Sequence, residues 1–309
     1  MTERQRCTAK SSPLSIITNP VFFVSAVTLV GLLLRLRGVT WGLPHLYDPD
    51  EPAFVDPAVR FVTTGDLNPH RFGHPASTLM YLLGLAYLVY WLLGHLVGWF
   101  PDLRFFETLF RTDPTVFYLI GRGLTLLLST LAIPLTYMVG RRVTGQSAAL
   151  AAATFVAVSP LHVELSRIVR PDGPLTTLIL LTMVLAFKTT ERPMGRNFVL
   201  SGMCAGLATA TKWPGIAAAV PVIMAGVVAV GRQPVTWKDQ ARWLGVGFLG
   251  LGVGFVIAAP FVPLEIQQVV KDLTRQARKV HLSATGGPGL SNYLWYLTGP
   301  RSSRRWAGR

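Results

Sequence analysis

Apolar residues run in long unbroken blocks along this chain, and the polar positions gather in short joints between them. That pattern predicts helices surrounded by apolar material rather than amphipathic helices facing water. The first block runs from Asn19 to Leu34. A polar stretch from Gly38 to His74 follows, and then a second apolar block, Pro75 to Trp99, rich in Leu, Tyr and Trp. The later blocks are Pro114 to Gly140, closed by Arg141-Arg142, then Gln146 to Pro160, then Pro174 to Phe187, closed by Lys188, and Asn197 to Thr211. Thr211-Lys212-Trp213-Pro214-Gly215 breaks the pattern, after which Ile216 to Val230 and Trp243 to Ala259 complete it. Leu264 to His281 reads as an amphipathic helix rich in Lys, Arg and Gln. A Gly-Gly-Pro-Gly turn then opens Tyr293 to Leu297, which stops in Gly-Pro-Arg-Ser-Ser-Arg-Arg-Trp-Ala-Gly-Arg, the ending expected of a truncated or frameshifted chain.

Blocks of roughly 20 residues are long enough to cross a hydrocarbon core of about 30 Å as helices. Composition agrees: half of the 309 residues are hydrophobic, 14% are charged and the mean hydropathy is +0.43, whereas soluble domains carry about 25% charge. The expected fold is therefore all-α, a polytopic transmembrane helix bundle. The net charge of +14 does not indicate nucleic acid, because the Lys and Arg sit between apolar blocks instead of on one soluble face. Cys7 and Cys204 have neither metal-ligand nor disulfide spacing. The basic tail and first apolar run imitate a signal peptide, but Arg35-Leu36-Arg37 stands where a cleavage site would follow, so an uncleaved first helix is expected.

Short-loop Lys and Arg favour the cytoplasm. If Pro75 to Trp99 does not cross, the N-terminal tail, Arg141-Arg142, the Lys188/Arg192/Arg196 loop and the Arg232/Lys238/Arg242 loop share the cytoplasmic side. The same choice gathers the Asp50 loop, the Arg167 to Asp172 joint, Lys212 and the 264–281 helix on the other side. The length of Pro75 to Trp99 argues for a crossing; the charge bias favours none.

Chemistry concentrates in a few places. Tyr47-Asp48-Pro49-Asp50-Glu51-Pro52 is a stiff carboxylate cluster at the mouth of the first span, although Asp and Pro are also ordinary turn formers and Asp50 could cap a helix through Ala53 to Val62. Asp172 follows Arg167 and Arg170, which are natural interface anchors, and is itself either a cap or a site carboxylate. Lys212 lies between two apolar blocks, where a Lys is costly and often functional unless it snorkels to the interface. His74, before Pro75, could donate to an oxyanion. Arg275 and Arg278 could meet anionic head groups or a phosphate.

In order and spacing these pieces resemble the GT-C membrane glycosyltransferases of the protein O-mannosyltransferase and aminoarabinose (lipid A) transferase type, a family-39-like pattern. The resemblance rests on Asp50-Glu51, His74-Pro75, the Arg-Arg joint at 140–142, Ser159-Pro160 followed by Arg167 and Asp172, and Gly206-Leu207 followed by Thr211-Lys212. It implies a GT-C-type bundle with a cytoplasmic tail at 1–18, a partial catalytic domain at 19–299 that has a long first extracytoplasmic loop with juxtamembrane helices at 38–113 and a later extracytoplasmic loop at 264–290, and an atypical tail at 300–309. It implies a polyprenyl-phosphate sugar donor, an acceptor hydroxyl on protein, lipid or glycan, and an active site on the extracytoplasmic face of the cell membrane. The expected roles are Asp50 as general base, Glu51 holding Asp50 or the sugar, Asp172 orienting the acceptor or a cation, and His74, Lys212, Arg275 and Arg278 binding donor phosphate, with no metal or cofactor. A transporter or lipid-binding protein would explain the spans but not the Asp50-Glu51 loop, and no internal repeat points to paired transporter halves.

Overall fold

A computed structural model of the chain describes residues 20–45, 48–73, 75, 77–232 and 236–276. Within them every regular element is a helix. The order is α1 Pro20–Leu36, α2 Pro52–Thr64, α3 Ser77–Leu96, α4 Leu103–Thr112, α5 Thr115–Thr130, α6 Ala132–Val143, α7 Gln146–Val158, α8 Pro160–Ser166, α9 Asp172–Glu191, α10 Gly195–Thr211, a 3₁₀ turn Trp213–Ala218, α11 Ala219–Arg232, α12 Trp237–Ala258 and α13 Ile266–Gln276. Four helical stretches are long and apolar enough to cross a membrane: Ser77–Leu96, Thr115–Val143, Asp172–Glu191 and Trp237–Ala258. The protein is accordingly a multi-pass membrane protein, and the all-helical expectation holds.

Contacts between helix ends define the two ends of the bundle. Arg142, in the last turn of α6, pairs with Glu191 at the last turn of α9 at 3.4 Å; this is the far end. At the opposite end α9 begins with Asp172, which meets Lys212 just past α10 at 2.8 Å. α1 also finishes there. The fully buried Arg35 donates to the carbonyls of Val156 and Ala157 at 3.0 Å each, covering the open C-terminal end of α7, where carbonyls lack intrahelical partners.

The sequence places a single block at 146–160; the structure divides it at Ser159-Pro160 into α7 and α8, bent by 55°. Proline cannot donate to the ladder of a continuing helix, and its ring crowds the preceding turn. Ser159 exploits the break, its Oγ accepting from the His162 N–H.

α3 is 20 residues long, and two hydrogen bonds tie its start and middle to other helices. At its start Thr78 donates to the carbonyl of Leu207 near the end of α10 at 3.4 Å. At its middle the Tyr87 hydroxyl donates to the Phe117 carbonyl, in the first turn of α5, at 3.0 Å. Its inner face joins α2, α4 and α5 in one apolar core that includes Phe54, Leu83, Tyr87, Phe106 and Phe117.

α10 and α12 are packed backbone to backbone. A Cβ on Gly202, Gly206, Gly250 or Gly254 would overlap the carbonyl oxygen of Gly247, Leu251, Val199 or Met203 respectively. Small residues let helix backbones approach closely in a membrane, where there is no hydrophobic drive between helices and van der Waals contact must hold them.

Candidate functional site

Local sequence shapes the acidic loop. Asp48 accepts the Asp50 N–H at 3.0 Å, an Asx turn closed by Pro49. Pro52 then occupies the first position of α2, where its missing N–H costs nothing. Glu51, not Asp50, stands at the N-cap position and gives no side-chain cap bond, which leaves the Asp50 carboxylate for another partner: Arg170, at 2.8 Å.

Glu51 points the other way, into the protein. Its carboxylate is 0% exposed and accepts from Arg122 Nε at 2.8 Å and Nη2 at 2.6 Å, and from the Val169 N–H at 2.8 Å. Arg122 also donates to the carbonyls of Val39 and Trp41 at 2.8 Å each. The sequence expectation that Glu51 holds Asp50 or the sugar is therefore corrected. It neutralises a buried arginine, and the pair fastens the stretch after α1, the start of α2 and the joint before α9 to α5. Charges buried this deeply persist only when paired and fully hydrogen-bonded.

Asp50, Ala53, Phe54, Arg71, Met80, Arg170, Pro171, Asp172 and Lys212 line one cavity of about 130 Å³. At about 30 Å³ per water this holds some four waters, the scale of a reacting centre rather than of a lipid. The sequence expectation that Asp50, Asp172 and Lys212 share a compartment becomes a shared wall here. Asp50 is 59% exposed, whereas the Lys212 and Asp172 side chains are 25% and 33% exposed.

Each cation has a distinct environment. α10 stops at Thr211 because Pro214 cannot continue it, and Lys212 sits in extended backbone with its Nζ on Asp172. Arg170 spans Asp48, at 3.2 Å, and Asp50, and its Nε is buried with no partner among the described residues. Arg71 lines the cavity with no ion-pair partner among the described residues. It is held there by Phe72, which is 1% exposed, receives the Trp213 Nε1–H on its carbonyl at 3.1 Å, and donates its N–H to Asp272 of α13 at 2.8 Å.

Sequence reasoning read Arg170 as an interface anchor and passed over Arg71. Nothing local marked Arg71, and nothing local marked Arg170, whose carboxylate partners are some 120 residues away. Arg275 is exposed in the last turn of α13 and does not line the cavity. His74, Arg278 and the end of the 264–281 helix lie outside the described residues. The carboxylates and cations form no cluster of three or more metal-ligating side chains among the described residues.

The profile of a family described as dolichyl-phosphate-mannose-protein mannosyltransferase matches residues 96–262. Among solved structures, the chain resembles the S. cerevisiae protein O-mannosyltransferase Pmt1-Pmt2 complex bound to the sugar donor. The TM-score is 0.55 at 20% sequence identity over 81% of this chain, and the likeness is one of fold. This chain spans 34% of that chain's length. No curated protein matches it in sequence.

Proposed function

Because the chain belongs to the dolichyl-phosphate-mannose-protein mannosyltransferase family, we propose that it is a membrane glycosyltransferase that moves a sugar, mannose by family precedent, from a polyprenyl-phosphate carrier to an acceptor hydroxyl. The observation that carries this reading is the single cavity in which Asp50 faces Asp172, Lys212 and two arginines. Asp50 takes the acceptor's proton as the acceptor oxygen bonds to the anomeric carbon. The bond from that carbon to the phosphate oxygen breaks, and the lipid phosphate leaves as an anion with inversion. Asp50 fits because it is the exposed carboxylate of the cluster, and a base must reach its proton at hydrogen-bond distance.

Negative charge develops on the departing phosphate, and preorganised cations stabilise it best. Lys212 is fixed by Asp172, which makes Asp172 a positioning residue, and Arg71 adds a positive charge that no described carboxylate neutralises. Arg170 orients Asp50 and keeps a spare donor. The acceptor is a hydroxyl on protein, lipid or glycan; the cavity chemistry is common to all three.

Connectivity supports a membrane placement for this reading. Between Asp50 and Asp172 the chain leaves the site end along α5–α6 and returns along α7. A crossing by α3 would add a third passage and separate the two residues, so α3 lies along the surface. The far end carries Arg141, Arg142, Lys188, Arg192 and Arg196, the bias of a cytoplasmic face, so the cavity faces the extracytoplasmic side.

The test is transfer of labelled sugar from polyprenyl-phosphate mannose to endogenous acceptors, in membranes carrying the parent chain, Asp50→Asn or Lys212→Gln. Parent transfer should fall at least about 100-fold in Asp50→Asn, the usual weight of general-base catalysis, and Lys212→Gln should lower the turnover rate. Parent transfer that persists in Asp50→Asn removes the base assignment.

A further inference from the structure

A second cavity, larger than the first, lies at the far end of the bundle. It measures about 370 Å³, inside the range of about 300–1,000 Å³ typical of ligand pockets. Met183, Ala186, Phe187, Pro221, Met224 and Val228, from α9 and α11, give it an apolar wall, with Arg142 of α6 and Glu191 of α9 at one end. Met224 is itself 52% exposed, so the cavity is open along the side of the bundle.

Arg142 is only partly committed there. One guanidinium nitrogen donates to the Val184 carbonyl at 3.2 Å, another meets Glu191 at 3.4 Å, and the group stands 5.9 Å from the Phe187 ring centre. A guanidinium has five N–H donors, and a long, partly exposed ion pair contributes little that a better anion could not replace. Arg141, Lys188, Arg192 and Arg196 lie near the same ends of α6, α9 and α10 and add positive charge to this end of the bundle. An apolar slot beside helices long enough to span the membrane, closed by an arginine at a cationic end of the bundle, complements one molecule in both parts: an acyl chain ending in a phosphodiester.

We propose that this cavity is a binding site for an anionic phospholipid, one acyl chain filling the slot and the phosphate displacing Glu191 from Arg142. The site is separate from the Asp50 cavity and does not rest on the transferase reading.

The experiment titrates the full chain, purified in zwitterionic micelles, with phosphatidylglycerol or phosphatidylcholine and reads retained lipid by native mass spectrometry. One phosphatidylglycerol should be retained in preference to phosphatidylcholine. Arg142→Gln should weaken it about tenfold, the worth of one charge-assisted hydrogen bond, while Arg141→Gln, in the same turn but outside the cavity, should leave it unchanged. Ala225→Phe, which fills the slot with every charge intact, should abolish retention. Glu191→Gln, an exposed change that spares the packing, should tighten it. Equal losses in Arg141→Gln and Arg142→Gln would reveal diffuse attraction and overturn the proposal, as would retention in a folded Ala225→Phe protein or no gain in Glu191→Gln.

Discussion

Replacing Glu51 with Gln is close to isosteric, yet it should be among the most damaging single changes in this protein. One carboxylate oxygen, Oε1, accepts from both Arg122 Nε and the Val169 N–H, and the other, Oε2, accepts from Arg122 Nη2 at 2.6 Å. A glutamine can keep the first oxygen, but its amide then turns donors toward Nη2. The arginine loses its counter-charge at a position that is 0% exposed. Breaking a buried pair from one side costs about 3–5 kcal/mol, a large part of the roughly 5–15 kcal/mol that holds a folded domain. Arg122→Met should cost a similar amount and also strip the Val39 and Trp41 carbonyls of their donor. With Glu51→Met and Arg122→Met combined, neither uncompensated charge remains, so the double variant should be more stable than the sum of the singles predicts by about 3 kcal/mol, within the usual range for coupled neighbours. Reversible unfolding in mixed micelles with increasing SDS measures all four corners of the cycle. Effects that simply add, to within about 0.5 kcal/mol, would refute the claim that this pair is a buried, mutually dependent fastening.

Two further outcomes are expected. Gly202→Ala should loosen the α10–α12 pair and destabilise by about 1–3 kcal/mol, as overpacking does. Gly245→Ala, whose Cβ meets nothing within 4 Å, should be neutral or stabilising by up to about 1 kcal/mol; the reverse order in the same SDS titration would contradict the close-packing account. In the acidic loop, the hydrogen bond from the His70 side chain, and after it the Asn68 N–H, holds the Asp66 carboxyl below its ordinary value. That interaction supports the loop fully above the ordinary carboxylate pKa of about 3.9 and fades as pH falls through the lowered value. Amide exchange across residues 66–72 should therefore quicken at pH 7 in Asp66→Asn but only in acid for the parent, and equal exchange at pH 7 would dismiss the contribution.

Much of the fold was legible because long apolar blocks leave few alternatives in a membrane, and Pro214 marked where α10 would end. Three features were not. Ser159-Pro160 was read as the end of a span, although α8 continues the helical path at an angle. α3 has the length and hydropathy of a crossing helix while the short-loop charges favour no crossing, and its hydrogen bonds to Leu207 and Phe117 join segments that no window along the sequence brings together. In the site, Asp50, Asp172 and Lys212 were visible as polar residues at block edges. The division of labour between Asp50 and Glu51 was invisible: adjacent carboxylates look alike in sequence, and only the turn at Asp48-Pro49 and the start of α2 aim one at solvent and the other at Arg122.

The glycine-lined seam between α10 and α12 reaches further than stability. Lys212 follows α10 directly, and α12 leads through Ala259 and Val262 into α13, whose Asp272 holds the backbone beside Arg71. With their backbones in contact along the glycine seam, the two helices have little room to slide and behave as a single strut. Lys212 continues that strut and the loop carrying Arg71 is tied to it through the Trp213 and Asp272 side chains, so the two cations share one support. A shift of that support would carry both cations together, so the cavity's positive charge would move as one unit.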